Sequence, residues 1–148
     1  MSKLLLYTDG GSRGNPGPAA YGYVIYDLSK TESTSNSSLD AGIILEKCGN
    51  YLGITTNNIA EYEGLKAGIK WVLANHPNAE LAIKMDSLLI VNQIKGTFKV
   101  KSPGLKPIYL EVTELLKKLP KYHIEHTYRE GNSLADSLVN EALDSQSI

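Results

Sequence analysis

Four acidic residues stand out because each lies where a predicted strand or helix begins or ends. Asp9 closes the first predicted strand, and Asp86 closes a later strand directly before a helix. Glu61 lies near the start of a long predicted helix, and Asp136 lies in the first turn of the last one. All four positions adjoin predicted buried structure, where an acidic group needs a partner.

Each acid also has an ordinary structural explanation. Asp9 fits a turn aspartate, and Glu61 fits the glutamate of a capping box that starts at Asn58. Asp86 fits a helix N-cap, and Asp136 fits an acid favoured by the helix dipole. Two of the acids nevertheless share a helix face with apolar residues: Leu65, Gly68 and Val72 for Glu61, and Val139 and Leu143 for Asp136.

A cluster of four carboxylates would repel itself strongly and would persist only if cations neutralised it. Ligands that are all oxygen favour a hard ion such as Mg²⁺ or Mn²⁺. A zinc site is not expected from one cysteine and three scattered histidines. Two hard ions ~4 Å apart would suit in-line attack on a phosphodiester, provided that the four acids converge in the fold.

Composition sets the broad class of protein. The chain has 148 residues, 42% of them hydrophobic, which predicts one globular domain over residues 1–148. A net charge of −1 and a pI near 6.3 are unlike a general nucleic-acid binder, which is usually strongly basic. The single cysteine, Cys48, cannot form an internal disulfide, and no long apolar segment is present, so a cytoplasmic protein away from membranes is expected.

The elements that would position the four acids follow from hydrophobic spacing and turn residues. Strands are predicted over residues 3–9, 19–28, about 40–51, 79–85 and 122–128. A loop is predicted over 10–18, a flexible hairpin connection over 29–38, and a frayed tail over 145–148. Helices are predicted over 58–75, 87–95, from about 103 or 105 to 120, and from 133 to 143. Three consecutive strands followed by strand–helix alternation predict an α/β fold with a five-stranded mixed sheet flanked by helices.

Four segments together resemble the motifs of type 1 ribonucleases H, in that family's order. They are TDGGSRGNPGPAAYG (8–22), TTNNIAEYEGL (55–65), MDSLLIVNQIKG (85–96) and REGNSLADSL (129–138). The GNPG and TTNNxAE signatures are specific, and the likeness is strongest to short bacterial and archaeal members. The resemblance implies a ribonuclease H-like fold and an endonuclease that cuts the RNA strand of an RNA–DNA hybrid, leaving 5′-phosphate and 3′-hydroxyl ends.

The resemblance also implies roles for individual residues. Asp9, Glu61, Asp86 and Asp136 would hold two Mg²⁺ ions, with Gly10 beside them as a further metal contact and Mn²⁺ as a substitute ion. The expected substrate contacts are Gly10, Gly11, Ser12, Asn15, Thr56, Asn57, Asn58 and Asn132. Small residues at 10–12 would let the backbone approach the RNA sugar, whose 2′-hydroxyl distinguishes RNA from DNA.

Two departures from the family pattern matter. No histidine lies between residues 127 and 136, where better-studied members carry one on a loop. Arg129 is expected to replace it in catalysis, whereas His126 is expected to be a structural residue of the fifth strand. A full basic protrusion is also missing, although the segment from Lys95 to Lys106 has four lysines and no acid, which fits either a solvated face or a phosphate contact.

Two other functions remain open from the sequence. A binding module could keep the fold and read hybrids without cutting them, although it would have no use for four acids. A related nuclease could act on double-stranded RNA or DNA junctions instead. A monomer is expected, because no exposed apolar patch is evident in the sequence.

Overall fold

The computed structural model describes residues 2–28 and 42–146, which form five strands, four α-helices and a short 3₁₀ turn. The elements are β1 Lys3–Ser12, β2 Gly17–Asp27, β3 Ile43–Thr55, α1 Asn57–Asn75, β4 Glu80–Met85, α2 Leu88–Lys95, α3 Lys106–Leu116, β5 Lys121–His126, the 3₁₀ turn Arg129–Asn132, and α4 Ser133–Asp144. Among these residues, no helix is long and apolar enough to cross a membrane.

The strands form one mixed sheet in the order β3-β2-β1-β4-β5. β1, β2 and β3 pair antiparallel, whereas β4 pairs parallel with β1 and β5 pairs parallel with β4. The predicted five-stranded mixed sheet is therefore confirmed. Thr8 of β1 pairs with Met85 of β4, so the parallel register brings the following residues, Asp9 and Asp86, to the same end of the sheet.

Helices α1 and α4 pack on opposite faces of the sheet. Successive side chains of a strand point to alternate faces, so neighbouring residues of β2 contact different helices. On β2, Tyr21 and Tyr23 belong to the large core that includes α1, whereas Ala20 belongs to a small cluster beneath α4. The large core is built mainly from aliphatic side chains, among them Leu4, Leu6, Ile25, Leu65, Ile69, Leu81, Ile83 and Ile90. The cluster beneath α4 contains Ala20, Val139 and Leu143.

The strands next to the glycine-rich segment are longer than predicted. The expected loop over 10–18 shrinks to residues 13–16, since β1 continues to Ser12 and β2 starts at Gly17. Gly10 pairs with Tyr21 and Ser12 pairs with Ala19, so pairing with β2 overrides the turn tendency of these residues. The third strand covers Ile43–Thr55 and ends later than predicted, while the first two positions of its predicted range, 40 and 41, lie outside the described residues.

The starts of α1, α2 and α3 differ from expectation, whereas α2 ends before Gly96 as predicted. Thr56, and not Asn58, caps α1, because the Thr56 hydroxyl accepts from the backbone N–H of Ile59 at 3.3 Å. Helix α2 is capped by Ser87 and ends at Gly96, which has a left-handed φ of 84°. Helix α3 is shorter than predicted and starts at Lys106.

Two further predicted segments fall partly or wholly outside the described residues. The expected flexible connection over 29–38 lies outside them, and so do the last two residues of the expected frayed tail.

Candidate active site

All four predicted carboxylates line one open cavity of about 620 Å³ at the end of the sheet where β1 and β4 finish. β1 supplies Asp9, α1 supplies Glu61, the residue after β4 is Asp86, and α4 supplies Asp136. Four separate elements therefore direct acidic groups into one space. This convergence is what a metal-dependent site requires.

Three of the acids lie close enough together to share a metal ion. Asp9, Glu61 and Asp86 each offer an oxygen, and these oxygens all lie within 4.8 Å of one another. Asp136 lies on the cavity wall outside this three-residue group, and its Oδ2 accepts from Asn140 Nδ2 at 3.4 Å. The site is thus a tight carboxylate triad with a fourth acid beside it.

Burial and mutual repulsion favour the protonated forms of two of these acids in the metal-free protein. Burial raises the pKa of Asp9, and the charges of Asp86 and Glu61 raise it further. Burial and then the charge of Asp86 likewise raise the pKa of Glu61. Asp9 and Glu61 are 6% and 8% exposed, so solvent screens this repulsion weakly. A bound divalent cation would supply the missing positive charge.

The backbone of Gly10 ties two of the acids together. Its N–H donates to Asp9 Oδ1 at 2.9 Å and to Glu61 Oε1 at 3.1 Å. Because α1 begins at Asn57 and its third residue is Ile59, Glu61 lies beyond the capping-box position. Asp86 precedes the true cap of α2, Ser87, so neither acid is explained by helix capping.

A polar network fixes the glycine-rich turn against the start of α1. The backbone N–H and the hydroxyl of Ser12 both donate to Asn57 Oδ1 at 2.8 Å. The backbone N–H of Asn57 in turn donates to Asn15 Oδ1 at 3.1 Å. The network orders this side of the cavity.

The predicted substrate contacts divide into two groups. Gly10, Gly11, Ser12, Asn57 and Asn58 line the cavity, whereas Asn15 and Thr56 do not and instead hold the turn and cap α1.

Asn132 is not among the residues that line the cavity, and its expected contact with substrate stays a prediction. Its side chain is 1% exposed, and Nδ2 donates to the backbone carbonyl of Thr8 at 2.9 Å. This bond joins the start of α4 to β1 one residue before Asp9. Its burial and hydrogen bond favour a positioning role over direct contact with a ligand.

Arg129 lines the cavity, and so do six further residues that the sequence did not single out for this site: Arg13, His126, Tyr128, Val139, Asn140 and Leu143. His126 does belong to β5, but it pairs with Met85, so it sits beside Asp86 at the site. The feature that places His126 at the site is this strand register. The register depends on parallel pairing between strands that are distant in sequence, so the sequence pattern around His126 does not reveal it.

Comparison with known proteins gives consistent matches along nearly the whole chain. The family described as Reverse transcriptase-like matches residues 7–142. The bifunctional protein Rv2228c of Mycobacterium tuberculosis is 37% identical over 142 residues, which are 96% of this chain and 36% of that protein. Ribonuclease HI of Halobacterium salinarum is 38% identical over 138 residues, 93% of this chain and 63% of that protein. The chain thus spans only about a third of the mycobacterial relative and under two thirds of the haloarchaeal one.

Solved structures agree over the full domain. The N-terminal RNase H domain of Rv2228c has a TM-score of 0.86 at 36% identity, covering 98% of this chain and 96% of that one. LC11-RNase H1, solved in complex with an RNA/DNA hybrid, has a TM-score of 0.81 at 39% identity, covering 97% and 98%. By sequence and by fold, the chain belongs to the ribonuclease H family.

Proposed function

We propose that this protein hydrolyses the RNA strand of RNA–DNA hybrids and leaves 5′-phosphate and 3′-hydroxyl ends. The observation that carries the proposal is the triad of Asp9, Glu61 and Asp86, whose oxygens lie within 4.8 Å of one another in an open cavity. Family membership supplies the substrate class, since LC11-RNase H1 is a relative solved with an RNA/DNA hybrid.

The donor set fits Mg²⁺, with Mn²⁺ expected to substitute. The triad offers only oxygen ligands, which select hard cations. Asp136 and the backbone of Gly10 line the same cavity and would complete the ligation of two ions. When bound, such ions activate water and stabilise the leaving oxygen of an in-line displacement.

The residues around the triad have complementary tasks on the nucleic acid. Gly10, Gly11 and Ser12 present backbone at the cavity edge, where small side chains permit close approach to an RNA sugar. Asn57 and Asn58 offer amide groups at the start of α1, next to the same edge. Arg129 brings a positive charge to a wall otherwise dominated by carboxylates and is suited to hold a phosphate oxygen or assist proton transfer.

The test is a cleavage assay on end-labelled RNA–DNA, RNA–RNA and DNA–DNA duplexes, with Mg²⁺, Mn²⁺ or EDTA. Metal-dependent cutting of RNA in the hybrid alone is expected. Cutting of the RNA duplex at a similar rate would contradict hybrid specificity, and tight hybrid binding without cutting would support a binding module instead.

A matched pair of variants on α1 ties the activity to the site. Glu61→Gln is expected to lower kcat by about 100-fold or more, since it removes a proposed metal ligand. Glu63→Gln, two residues along the same helix and outside the cavity, is the control and is expected to keep full activity. Equal effects of the two changes would place the chemistry elsewhere.

A further inference from the structure

An exposed tyrosine forms part of the cavity wall. The side chain of Tyr128 is 75% exposed, more than any other large hydrophobic residue in the described part of the chain. It lines the cavity together with Asp86 and its own neighbour Arg129. Its position therefore combines free aromatic surface with direct access to the acidic site.

The backbone around Tyr128 is fixed on both sides. The N–H of Thr127 donates to the carbonyl of Met85 at 2.8 Å, one residue before Asp86. The carbonyl of Tyr128 accepts from the N–H of Gly131 at 2.9 Å, which closes the 3₁₀ turn that Tyr128 caps. The backbone that carries Tyr128 is thus hydrogen-bonded to the end of β4, one residue before Asp86.

The ring of Tyr128 also has a partner. Its centroid lies 5.3 Å from that of His126 with an interplanar angle of 82°, an edge-to-face contact that aromatic pairs favour. His126 lines the same cavity. We refer to His126 and Tyr128 together as the aromatic wall.

The aromatic wall is suited to contact the ribose or deoxyribose of a nucleotide in the duplex. In a duplex the bases are stacked inside, so an aromatic ring at the surface meets the apolar C–H face of a sugar. Tyrosine suits this contact, because its ring is apolar while its hydroxyl can stay in water. Arg129 stands next to Tyr128 and offers charge to the adjoining phosphate, which the nearby carboxylates would otherwise repel.

We infer that the aromatic wall positions the substrate by packing against the sugar ring of a nucleotide beside the scissile phosphate. This inference rests on the proposed function, because it assumes a nucleic-acid substrate in the cavity. His126 acts through Tyr128 by holding the orientation of its ring.

Steady-state cleavage of a labelled hybrid tests the inference. Tyr128→Ala is expected to raise KM about fivefold or more, because it removes the apolar ring surface that packs against the sugar, with kcat changed less than about twofold. Tyr128→Phe is expected to keep the wild-type KM, because it retains the ring. Tyr122→Ala is the control, since Tyr122 is a half-exposed tyrosine of β5 outside the cavity.

A double-mutant cycle tests the role of His126. If His126 acts through Tyr128, the KM effects of His126→Ala and Tyr128→Ala will be strongly non-additive. Additive effects, or a fall in kcat for His126→Ala alone, would overturn the positioning role of His126.

Different outcomes would overturn the role of the aromatic wall and the proposed function. Hybrid cleavage by the wild type with an unchanged KM for Tyr128→Ala would overturn the inference and leave the proposed function standing. A wild-type protein that cuts no hybrid under any metal condition would overturn the proposed function itself.

Discussion

The backbone N–H of Gly10 donates to the Glu61 carboxylate at 3.1 Å, across 51 positions of sequence. Only a residue without a side chain fits there, because a Cβ at position 10 would lie 2.4 Å from the backbone of Ala60 and Glu61. This close approach of β1 and α1 sets the distance between Asp9 and Glu61.

Gly10→Ala is therefore expected to destabilise the protein by about 2 kcal/mol and to abolish most hybrid cleavage, since backbone must move to admit the methyl group. Urea denaturation measures the first effect. Gly11→Ala is the matched control for stability, because a Cβ at that position meets only Val139 Cγ1, at 3.9 Å. Equal destabilisation by both changes would contradict the role of the close approach.

The stability of the metal-free protein is expected to fall as pH rises. The folded pKa values of Asp9 and Glu61 are raised above their ordinary values of 3.8 and 4.5, so the folded state holds protons that the unfolded chain releases. Stability is then greatest below the ordinary values and declines as pH rises through the raised ones, by about 1.4 kcal/mol for each pKa unit.

Urea denaturation in EDTA at several pH values checks this decline. Asp9→Asn is expected to flatten the profile, because it removes one of the two groups whose pKa is raised in the folded state. Mg²⁺ should also flatten it, since ions bind the ionised carboxylates. A wild-type profile that rises with pH would contradict the raised pKa values.

Asp86→Asn is expected to separate stability from activity. The Asp86 charge raises the pKa of both Asp9 and Glu61, so its removal relieves repulsion in the metal-free site. The variant should be inactive on hybrid and yet more stable than wild type in EDTA at pH 8, by about 1 kcal/mol. Loss of stability in EDTA would show that Asp86 has a structural role instead.

Arg129→Ala is expected to lower turnover by about tenfold with little change in stability, because exposed side chains contribute within about 0.5 kcal/mol. Glu130→Ala is the control, being the next exposed residue but outside the cavity. Thermal unfolding and single-turnover cleavage together distinguish a catalytic defect from a folding defect. Unchanged turnover in Arg129→Ala would remove this residue from the mechanism.

Local sequence pattern predicted the elements well. The apolar spacing of α1 placed Glu61 on the face of Leu65 and Val72, and all three are buried. The left-handed Gly96 ended α2 where the sequence indicated. The cap of α1 was misplaced because Thr56 and Asn58 are both good capping residues, and only the hydrogen bond to Ile59 decides between them.

Long-range register was harder to predict. The sequence indicated a loop from Gly10 to Pro18, whereas pairing with β2 extends β1 to Ser12. Asn132, expected as a substrate contact, also donates to the backbone carbonyl of Thr8, 124 positions away, which the sequence did not indicate. His126 reaches the cavity only through its pairing with Met85. These outcomes depend on which strands become neighbours, and local composition carries little of that information.

Asp136 lies on α4, which packs on the opposite face of the sheet from α1, the helix that supplies Glu61. Gly22 and Gly49 let α4 lie directly on β2 and β3, since a Cβ at either position would fall within 2.6 Å of a backbone carbonyl oxygen of α4. In the described part of the chain, the buried cluster beneath α4 is small and consists of Ala20, Val139 and Leu143, with Tyr51 and Ala142 packed against it. A divalent ion shared by Asp136 and the triad would thus cross-link the two faces of the sheet. In EDTA, the amide hydrogens of α4 should exchange faster than those of α1. Adding Mg²⁺ should slow the exchange of the α4 amides selectively.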